Sequence, residues 1–234
     1  MEWNGYYQGL SSEKKKIFRI RTILFRKTTS FQTDLNLELT NEMEILISSA
    51  FVQLTFGLKH AVLRIFNDIF ITPKPYSYNH IDHTFDGDVN LYTKKVSLTW
   101  PVVEQGFNIN NDGINLALHE FAHCLILENS RMSYLSRTLD ENELDNWKII
   151  GQKKIEKIRS KKNRLLRDYA GNNLMELFAV SIEEFFERPD HFYRKEPSLY
   201  FSFCRLLNQD PRKKLNPILS KKDYFNYPFS KNSA

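Results

Sequence analysis

The sequence of 234 residues predicts an α+β fold, because strand-like segments between about residues 61 and 100 precede a long run of helical segments. Hydrophobic residues make up 41% of the chain and aromatic residues 14%, so a chain of this length can bury a sizeable core. After a turn at 110–113 the pattern stays helical as far as Asn208. We therefore expect a small mixed sheet packed against a central helix, followed by a helical C-terminal part.

The N-terminal part of the chain predicts two helices. Residues 11–28 are basic and amphipathic, with an apolar stripe made by Ile17, Ile20 and Leu24 at helical spacing. A second helix is expected from Asn41, with its end near Gly57, because glycine is common just past a helix C-terminus.

Strand-like segments follow. The run from Ala61 to Ile71 is rich in Val, Ile, Leu and Phe and predicts a strand. The segments Val89 to Tyr92 and Val96 to Trp100 flank three turn residues and predict a hairpin. In the next turn, Asn111 or Asp112 can cap the following helix. Later helices are expected over about 140–160, 172–187 and 196–208.

The central helix carries the motif His-Glu-Phe-Ala-His, in which His119 and His123 are four residues apart. On an α-helix this spacing places both imidazoles on one face, where they can bind one metal ion. Glu120 lies beside the first histidine and can accept a proton from a water molecule at the metal. The HExxH pattern predicts a zinc site with one open position. The alternative is a pair of core histidines that bind backbone carbonyls.

A third ligand must come from elsewhere in the chain. Glu176 interrupts the apolar run 174–180, where a lone carboxylate would be neutralised unless a cation kept it ionised. Glu183 lies seven residues further on the same helix face. We prefer Glu176 as the ligand and Glu183 as the residue that orients a ligating histidine, although the reverse assignment stays open.

Two segments around these residues resemble a known family. Residues 115–123 and 169–180, together with the strand-like Val96, Ser97, Leu98, Thr99 and Trp100, are similar to the glucose-regulated metallopeptidases typified by Mlc titration factor A. The likeness extends from about Leu10 to Pro211. One departure is Ile126, which stands where the family commonly has Asp three residues after the second histidine, so the hydrogen bond of that Asp is either missing or supplied by Glu128 or Glu183.

The resemblance implies a zincin-like (gluzincin) catalytic domain, related in its core to the anthrax lethal factor protease domain. It implies one Zn²⁺ per chain on His119, His123 and Glu176, with Glu120 as general base. By the same resemblance Tyr169 stabilises the oxyanion of the transition state. The expected substrate is a peptide or protein, and the resemblance implies aminopeptidase-like activity on short peptides, with endopeptidase action left open. We further expect Val96 to Trp100 to be an edge strand that pairs with the substrate.

Other functions are weighed against this one. The family name suggests an alternative function: a regulatory binding module that sequesters a transcriptional repressor and whose metal site is structural or idle. The basic stretch Lys153 to Arg167 invites a nucleic-acid hypothesis, but a solvated helix face explains it better, with Ile155, Ile158, Leu165 and Leu166 turned inward. A polar loop cluster could bind a second metal but is more simply solvated; it comprises His80, Asp82, His83, Asp86 and Asp88.

The expected organisation is a helical N-terminal extension (1–40), a catalytic domain (41–215) and a C-terminal tail (216–234). No apolar run is long enough to cross a bilayer, and the start of the chain does not have the pattern of a signal peptide. Two cysteines, Cys124 and Cys204, do not make a disulfide framework. We therefore expect a cytoplasmic protein.

Overall fold

The computed structural model describes residues 4–59, 62–78, 83–133, 136–162, 165–220 and 223. Within these ranges helices surround one small sheet, which is the α+β class that the sequence predicts. In chain order the elements are α1 (Gly5–Gly9), α2 (Ser12–Thr28), β1 (Ser30–Thr33), α3 (Asn41–Thr55), β2 (Asp68–Thr72), β3 (Gly87–Asn90), β4 (Lys95–Thr99), α4 (Trp100–Asn108), α5 (Leu116–Arg131), α6 (Glu141–Arg159), a 3-10 helix (Asp168–Gly171), α7 (Leu174–Glu187), α8 (Pro189–Lys195) and α9 (Pro197–Leu207).

The sheet has the strand order β1-β2-β4-β3. Strands β1, β2 and β4 are parallel, whereas β3 is antiparallel to β4, with Val89 opposite Val96. The predicted hairpin is therefore confirmed with slightly different ends. Its second arm was wrongly expected to be an edge strand, because β4 is paired on both sides and its backbone groups are already used. Trp100 is not in the strand at all: it begins α4, with Pro101 in the first turn.

The predicted strand from Ala61 to Ile71 is largely wrong, since only its end lies in β2. The reason is Glu128 on α5, whose Oε1 accepts hydrogen bonds from the backbone N–H groups of Arg64, Ile65 and Phe66 at 2.9, 2.6 and 3.0 Å. Three consecutive N–H groups that converge on one carboxylate oxygen cannot alternate between two strand neighbours. The segment is therefore a loop fixed to α5.

Helix α5 lies at the centre of the molecule and contacts α3, α4, α7, β3 and β4. Its apolar side chains are buried on several sides, as expected for a helix that is hydrophobic all round. Phe121 contacts the stacked rings of Phe25 and Phe51, whose centroids are 4.3 Å apart. The cap of α5 is Asn115, whose Oδ1 accepts the N–H of Leu118, and not Asn111 or Asp112 as expected.

Helix α2 buries a different face from the one that the sequence suggested. Phe18, Thr22 and Phe25 are buried against the rest of the molecule, while the aliphatic stripe that includes Ile20 and Leu24 is exposed to solvent. Aromatic side chains offer more area to bury than isoleucine does, so the phenylalanine face prevails.

The packing is continuous across residue 40. Strand β1 pairs with β2, and Tyr7, Leu10, Phe18 and Phe25 belong to the same core cluster as the central helix. Of the expected tail, 216–220 and Asp223 are described; Ile218 bridges to Gln209 and Leu219 is buried. The remaining tail residues lie outside the described ranges.

The later helices agree with the sequence within a few residues, at α6, α7 and α9. In the basic stretch 153–167, Lys153, Lys157, Lys161 and Lys162 are exposed, as expected for a solvated helix face, whereas other members make contacts within the chain. Lys154 pairs with Glu196, and Arg159 donates to the carbonyls of Gly171 and Asn172 at 2.8 Å. Ile155, Ile158 and Leu166 are buried, and Leu165 is partly buried, as expected. No helix in the described part of the chain is both long and apolar enough to cross a membrane.

Candidate active site

The two motif histidines project from one face of α5 towards the first turn of α7, which carries Glu176. His119 Nε2 lies 3.2 Å from His123 Nε2 and 3.4 Å from Glu176 Oε2, and His123 Nε2 lies 3.6 Å from the same oxygen. The three side chains are only 12%, 12% and 16% exposed. The structure thus brings together the three residues that the sequence proposes as ligands.

These separations fit a metal ion. Two ligands of a tetrahedral zinc, each about 2.0–2.1 Å from the metal, lie about 3.3–3.4 Å apart. Glu176 Oε2 is buried and has no hydrogen-bond donor, and the two facing imidazole nitrogens suit a shared cation better than each other. In the described ranges no other group of three or more such side chains converges in this way.

The close approach of these three side chains also shifts the pKa values of His119 and Glu176. Burial alone would lower the pKa of His119, but its close contacts with the carboxylates of Glu176 and Glu183 outweigh burial and raise the pKa to about 10. Burial would raise the pKa of Glu176, but its contacts with both histidines lower it to about 2. Without a metal the centre therefore favours positive charge on the imidazole of His119 beside an ionised Glu176. A bound dication would supply that positive charge instead.

Glu183 is in contact with His119, as the sequence suggested. Its buried Oε1 lies 2.8 Å from His119 Nδ1 and also accepts a hydrogen bond from Arg167. Its Oε2 accepts the backbone N–H of Asn115, the cap of α5, at 2.7 Å. When Nδ1 carries the proton, the lone pair of Nε2 points at the candidate metal position. No sequence signal singled out Arg167 or Asn115 as partners of this carboxylate, because both contacts depend on tertiary packing.

His123 has no matching support. Its Nδ1 is buried without a hydrogen-bond partner in the described part of the chain. Glu128, which the sequence offered as a replacement for the aspartate of the family, instead binds the backbone of the loop 64–66, and Glu183 binds His119. Of the two alternatives stated for Ile126, a missing hydrogen bond is therefore the one that the described residues favour.

Glu120 is buried next to the two histidines, with only 4% of the residue exposed. Its Oε2 has no hydrogen-bond partner among the described residues. Burial raises the pKa of this carboxyl to about 7, against the opposing effect of the neighbouring His119 and His123. A Cβ atom at Gly87 of β3 would lie 3.0 Å from Glu120 Oε1, so the edge strand passes directly beside this carboxylate.

Tyr169 lies on the 3-10 helix before α7 and is 52% exposed. Its ring centroid is 6.3 Å from that of His119. Burial, together with the nearby Glu176 and Glu120 carboxylates, raises the pKa of its phenol to about 12, so the hydroxyl keeps its proton near neutral pH. The tyrosine thus lies at the edge of the site as a hydrogen-bond donor.

Other candidate residues are not part of this centre. Cys124 is buried, and burial holds the pKa of its thiol well above its usual range, which excludes a reactive thiolate. His80 and Asp82 of the loop cluster lie outside the described residues. Asp88 accepts hydrogen bonds from the hydroxyls of Tyr76 and Tyr78.

Comparison with known proteins agrees with the geometry. The family described as glucose-regulated metallo-peptidase M90 matches residues 2–207. The chain belongs to this family. Curated relatives named Mlc titration factor A include those of Salmonella typhimurium, 24% identical over 202 residues, and Edwardsiella ictaluri, 26% identical over 198 residues. Both alignments cover 76% of this chain and 74% of the relative. This M90 family member therefore has a metallopeptidase-like fold, and its structure contains a His-His-Glu cluster that can hold a metal.

Proposed function

We propose that the protein is a zinc-dependent peptidase in which Glu120 is the general base, with aminopeptidase-like activity on short peptides. One observation carries the proposal: three ligand atoms lie 3.2–3.6 Å apart beside the unpartnered carboxylate oxygen of Glu120. A structural metal site needs no such base. Two imidazole nitrogens and one carboxylate oxygen are a donor set typical of catalytic zinc with one open position.

Zinc, when bound by His119, His123 and Glu176, lowers the pKa of water towards 7 and polarises a carbonyl group. Glu120 accepts the proton of the attacking water and returns it to the leaving amine. A pKa of about 7 suits both transfers, because the group is then a competent base and a competent acid near neutral pH.

Tyr169 contributes a hydrogen bond in this proposal. Its protonated phenol, at the exposed edge of the centre, donates to the oxygen that becomes negative as the carbonyl is attacked. Glu183 acts through His119, holding its ring in the orientation and tautomer that present Nε2 to the metal.

Strand β3 replaces β4 as the proposed substrate strand. In the described part of the sheet β3 pairs only with β4, so its outer edge can accept an extended peptide by strand addition. Gly87 supports this role, because the strand passes so close to Glu120 there that a side chain would not fit. The preference for short peptides with a free amino terminus follows from the family resemblance.

A second candidate function is a regulatory binding module that titrates a partner such as a transcriptional repressor, as the relatives' name Mlc titration factor A suggests. In that case the metal site would be structural or idle. Glu120 argues against this candidate, since burying an unpartnered carboxylate beside the ligands costs stability that only a catalytic role repays.

The test compares native protein with Glu120→Gln at equal zinc content, measured by plasma mass spectrometry. We expect native protein to hydrolyse aminoacyl reporter substrates, and Glu120→Gln to retain zinc but to lose at least about 100-fold in kcat. Amino-terminally acetylated reporters test the aminopeptidase preference separately. Equal hydrolysis by both proteins, or none by zinc-loaded native protein, contradicts the peptidase proposal.

A further inference from the structure

Helix α2 has two apolar faces, only one of which is buried. Opposite the buried phenylalanines, four aliphatic side chains point to solvent: Ile17, Ile20, Ile23 and Leu24 are 36%, 66%, 55% and 45% exposed. Single exposed aliphatic residues are common on protein surfaces. Four within two turns of one helix form a continuous patch, which typically marks an interaction site.

The patch has charged ends of opposite sign. Glu13, Ile17, Ile20, Leu24 and Lys27 are spaced by four, three, four and three residues, so they follow one line along the helix, which we call the outer stripe. Glu13 and Lys27 are both exposed and lie seven residues before and after Ile20. The stripe is thus apolar in the middle, acidic at one end and basic at the other.

We propose that the outer stripe is the contact between two copies of this chain, paired with antiparallel α2 helices about a two-fold axis at Ile20. In this arrangement Ile20 lies opposite Ile20 of the partner subunit, and Ile17 lies opposite Leu24 of the partner subunit. Glu13 lies opposite Lys27 of the partner subunit. The two-fold axis repeats the Ile17–Leu24 contact and the Glu13–Lys27 contact. The interface therefore has two apolar pairs and two ionic pairs besides the central Ile20 pair.

The charges at the two ends of the outer stripe are complementary between antiparallel copies, although α2 as a whole is basic. Two of the arginines of α2 are committed within the chain: Arg21 binds the carbonyls of Thr55, Phe56 and Leu58, and Arg26 pairs with Glu44. An anionic lipid surface or a polyphosphate would attract exposed cations of α2 such as Lys16, but it would repel Glu13, which the antiparallel copy neutralises with Lys27. The ridge-like shape of a single exposed helix also suits helix-on-helix packing.

This interface leaves the candidate metal centre open. The inner face of α2 reaches α5 through Phe25 and Phe121, and Phe121 is two residues from His119, about 200° around the helix. One helix pair buries little area, at the low end of specific interfaces (below ~1,200 Å²), so the dimer is expected to be weak and dependent on concentration.

Sedimentation equilibrium of the full chain tests the proposal through charge. The mass should rise with concentration from 27.8 kDa towards twice that value. Glu13→Lys and Lys27→Glu should each weaken association at least tenfold, and the double variant, which exchanges the two charges, should restore it. Circular dichroism checks that each variant is folded.

Cross-linking tests the two-fold axis itself. Ile20→Cys should form an interchain disulfide under mild oxidation, because the two residues meet at the axis. Both native cysteines are buried. Ile149→Cys, on α6, is the control, since Ile149 is equally accessible at 55% exposure but is not on the stripe.

The proposal is overturned by a monomer at every concentration, by association that Ile20→Glu leaves unchanged, or by failure of the charge exchange to restore the dimer. Binding to vesicles of phosphatidylglycerol and phosphatidylcholine tests the alternative that the outer stripe contacts an anionic membrane. Binding of monomeric native protein to them, lost in Ile20→Glu, would make the stripe a membrane contact and the dimer proposal wrong. None of these readouts depends on peptidase activity.

Discussion

The two motif histidines differ in how their outer ring nitrogens are held. His119 Nδ1 faces the buried Glu183 carboxylate, whereas His123 Nδ1 has no partner in the described residues. A fixed proton on Nδ1 keeps Nε2 of His119 available as a ligand, so this contact should contribute to metal affinity.

Glu183→Gln should therefore weaken metal binding by about 10–100-fold while the protein stays folded. An amide can donate to His119 as well as accept from it, so it no longer imposes one tautomer. Competition with a chromogenic chelator measures the affinity. Glu187→Gln, one turn further along α7, is the control, and equal affinities for the two variants would show that Glu183 does not orient the ligand.

Glu187 itself predicts a dependence of stability on pH. Burial raises the pKa of this carboxyl to about 8, although the N–H of Gly113 opposes the shift. The folded state then binds more protons than the unfolded state between about pH 4.5 and 8. The stabilising effect of protonated Glu187 is present below pH 4.5 and is lost as the pH rises through about 8.

Relative to native protein, Glu187→Gln should gain stability as the pH rises, by about 1 kcal/mol or more at pH 9. An uncharged amide can replace the protonated carboxyl, which native protein loses at that pH. Urea unfolding at pH 5 and pH 9 measures the difference, with the exposed Glu104→Gln as control. A difference that shrinks towards pH 9 would contradict the assignment.

At the scale of residues, the sequence predicted what depends on local spacing. His119, Glu120 and His123 lie within one helical turn, so their mutual geometry follows from the helix alone. Glu176 was predicted as a ligand, and Glu183 as the residue that orients a ligating histidine, because Glu176 interrupts an apolar run in the sequence. The contacts of Arg167 and Asn115 with Glu183 were not predictable, because they join segments far apart in the sequence.

At the scale of elements, the main errors came from contacts that compete with the local pattern. The run before β2 has strand-like composition, yet Glu128 takes three of its N–H groups and makes it a loop. The outer stripe of α2 has the helical spacing of a buried face, yet the phenylalanines are buried instead. A hairpin was predictable from its turn, but which of its strands is the edge depends on β2 and was not.

Glu128→Ala should destabilise the protein by about 2–4 kcal/mol, because three N–H groups, that of Phe66 buried and the other two partly buried, lose their carboxylate acceptor. Urea unfolding measures the free energy, and chymotrypsin cleavage near Phe66 should report opening of the loop. The same change at the exposed Glu156 on α6 should stay within about 0.5 kcal/mol. Similar values at both positions would mean that the loop is held by something else.

At the scale of the whole molecule, the C-terminal ends of α3 and α9 close the fold against each other. Asn208 Nδ2 donates to the carbonyl of Gly57 at 3.1 Å, and Gln209 Nε2 donates to the carbonyls of Gln53 and Leu54. A Cβ atom at Gly57 would lie 2.3 Å from the carbonyl oxygen of Leu207, closer than atoms can approach. The join between the early and late parts of the chain thus depends on one glycine.

Gly57→Ala should cost about 3 kcal/mol or more, since the obstacle is backbone and cannot move aside as a side chain would. Thermal unfolding measures the loss. Gly9→Ala is the matched control, because its added Cβ would meet only the Lys214 side chain at an ordinary 3.5 Å. A small effect at Gly57 would show that the two helix ends can separate without loss of the fold.

The sharing of one metal ion by His119, His123 and Glu176 is the claim on which the functional account depends. Equilibrium dialysis against zinc, followed by metal analysis, tests it most directly. Native protein should bind one tight zinc per chain, and His119→Ala, His123→Ala and Glu176→Ala should each lose it, while Glu104→Ala keeps it. No tight zinc in native protein, or zinc that survives all three ligand substitutions, would contradict the account.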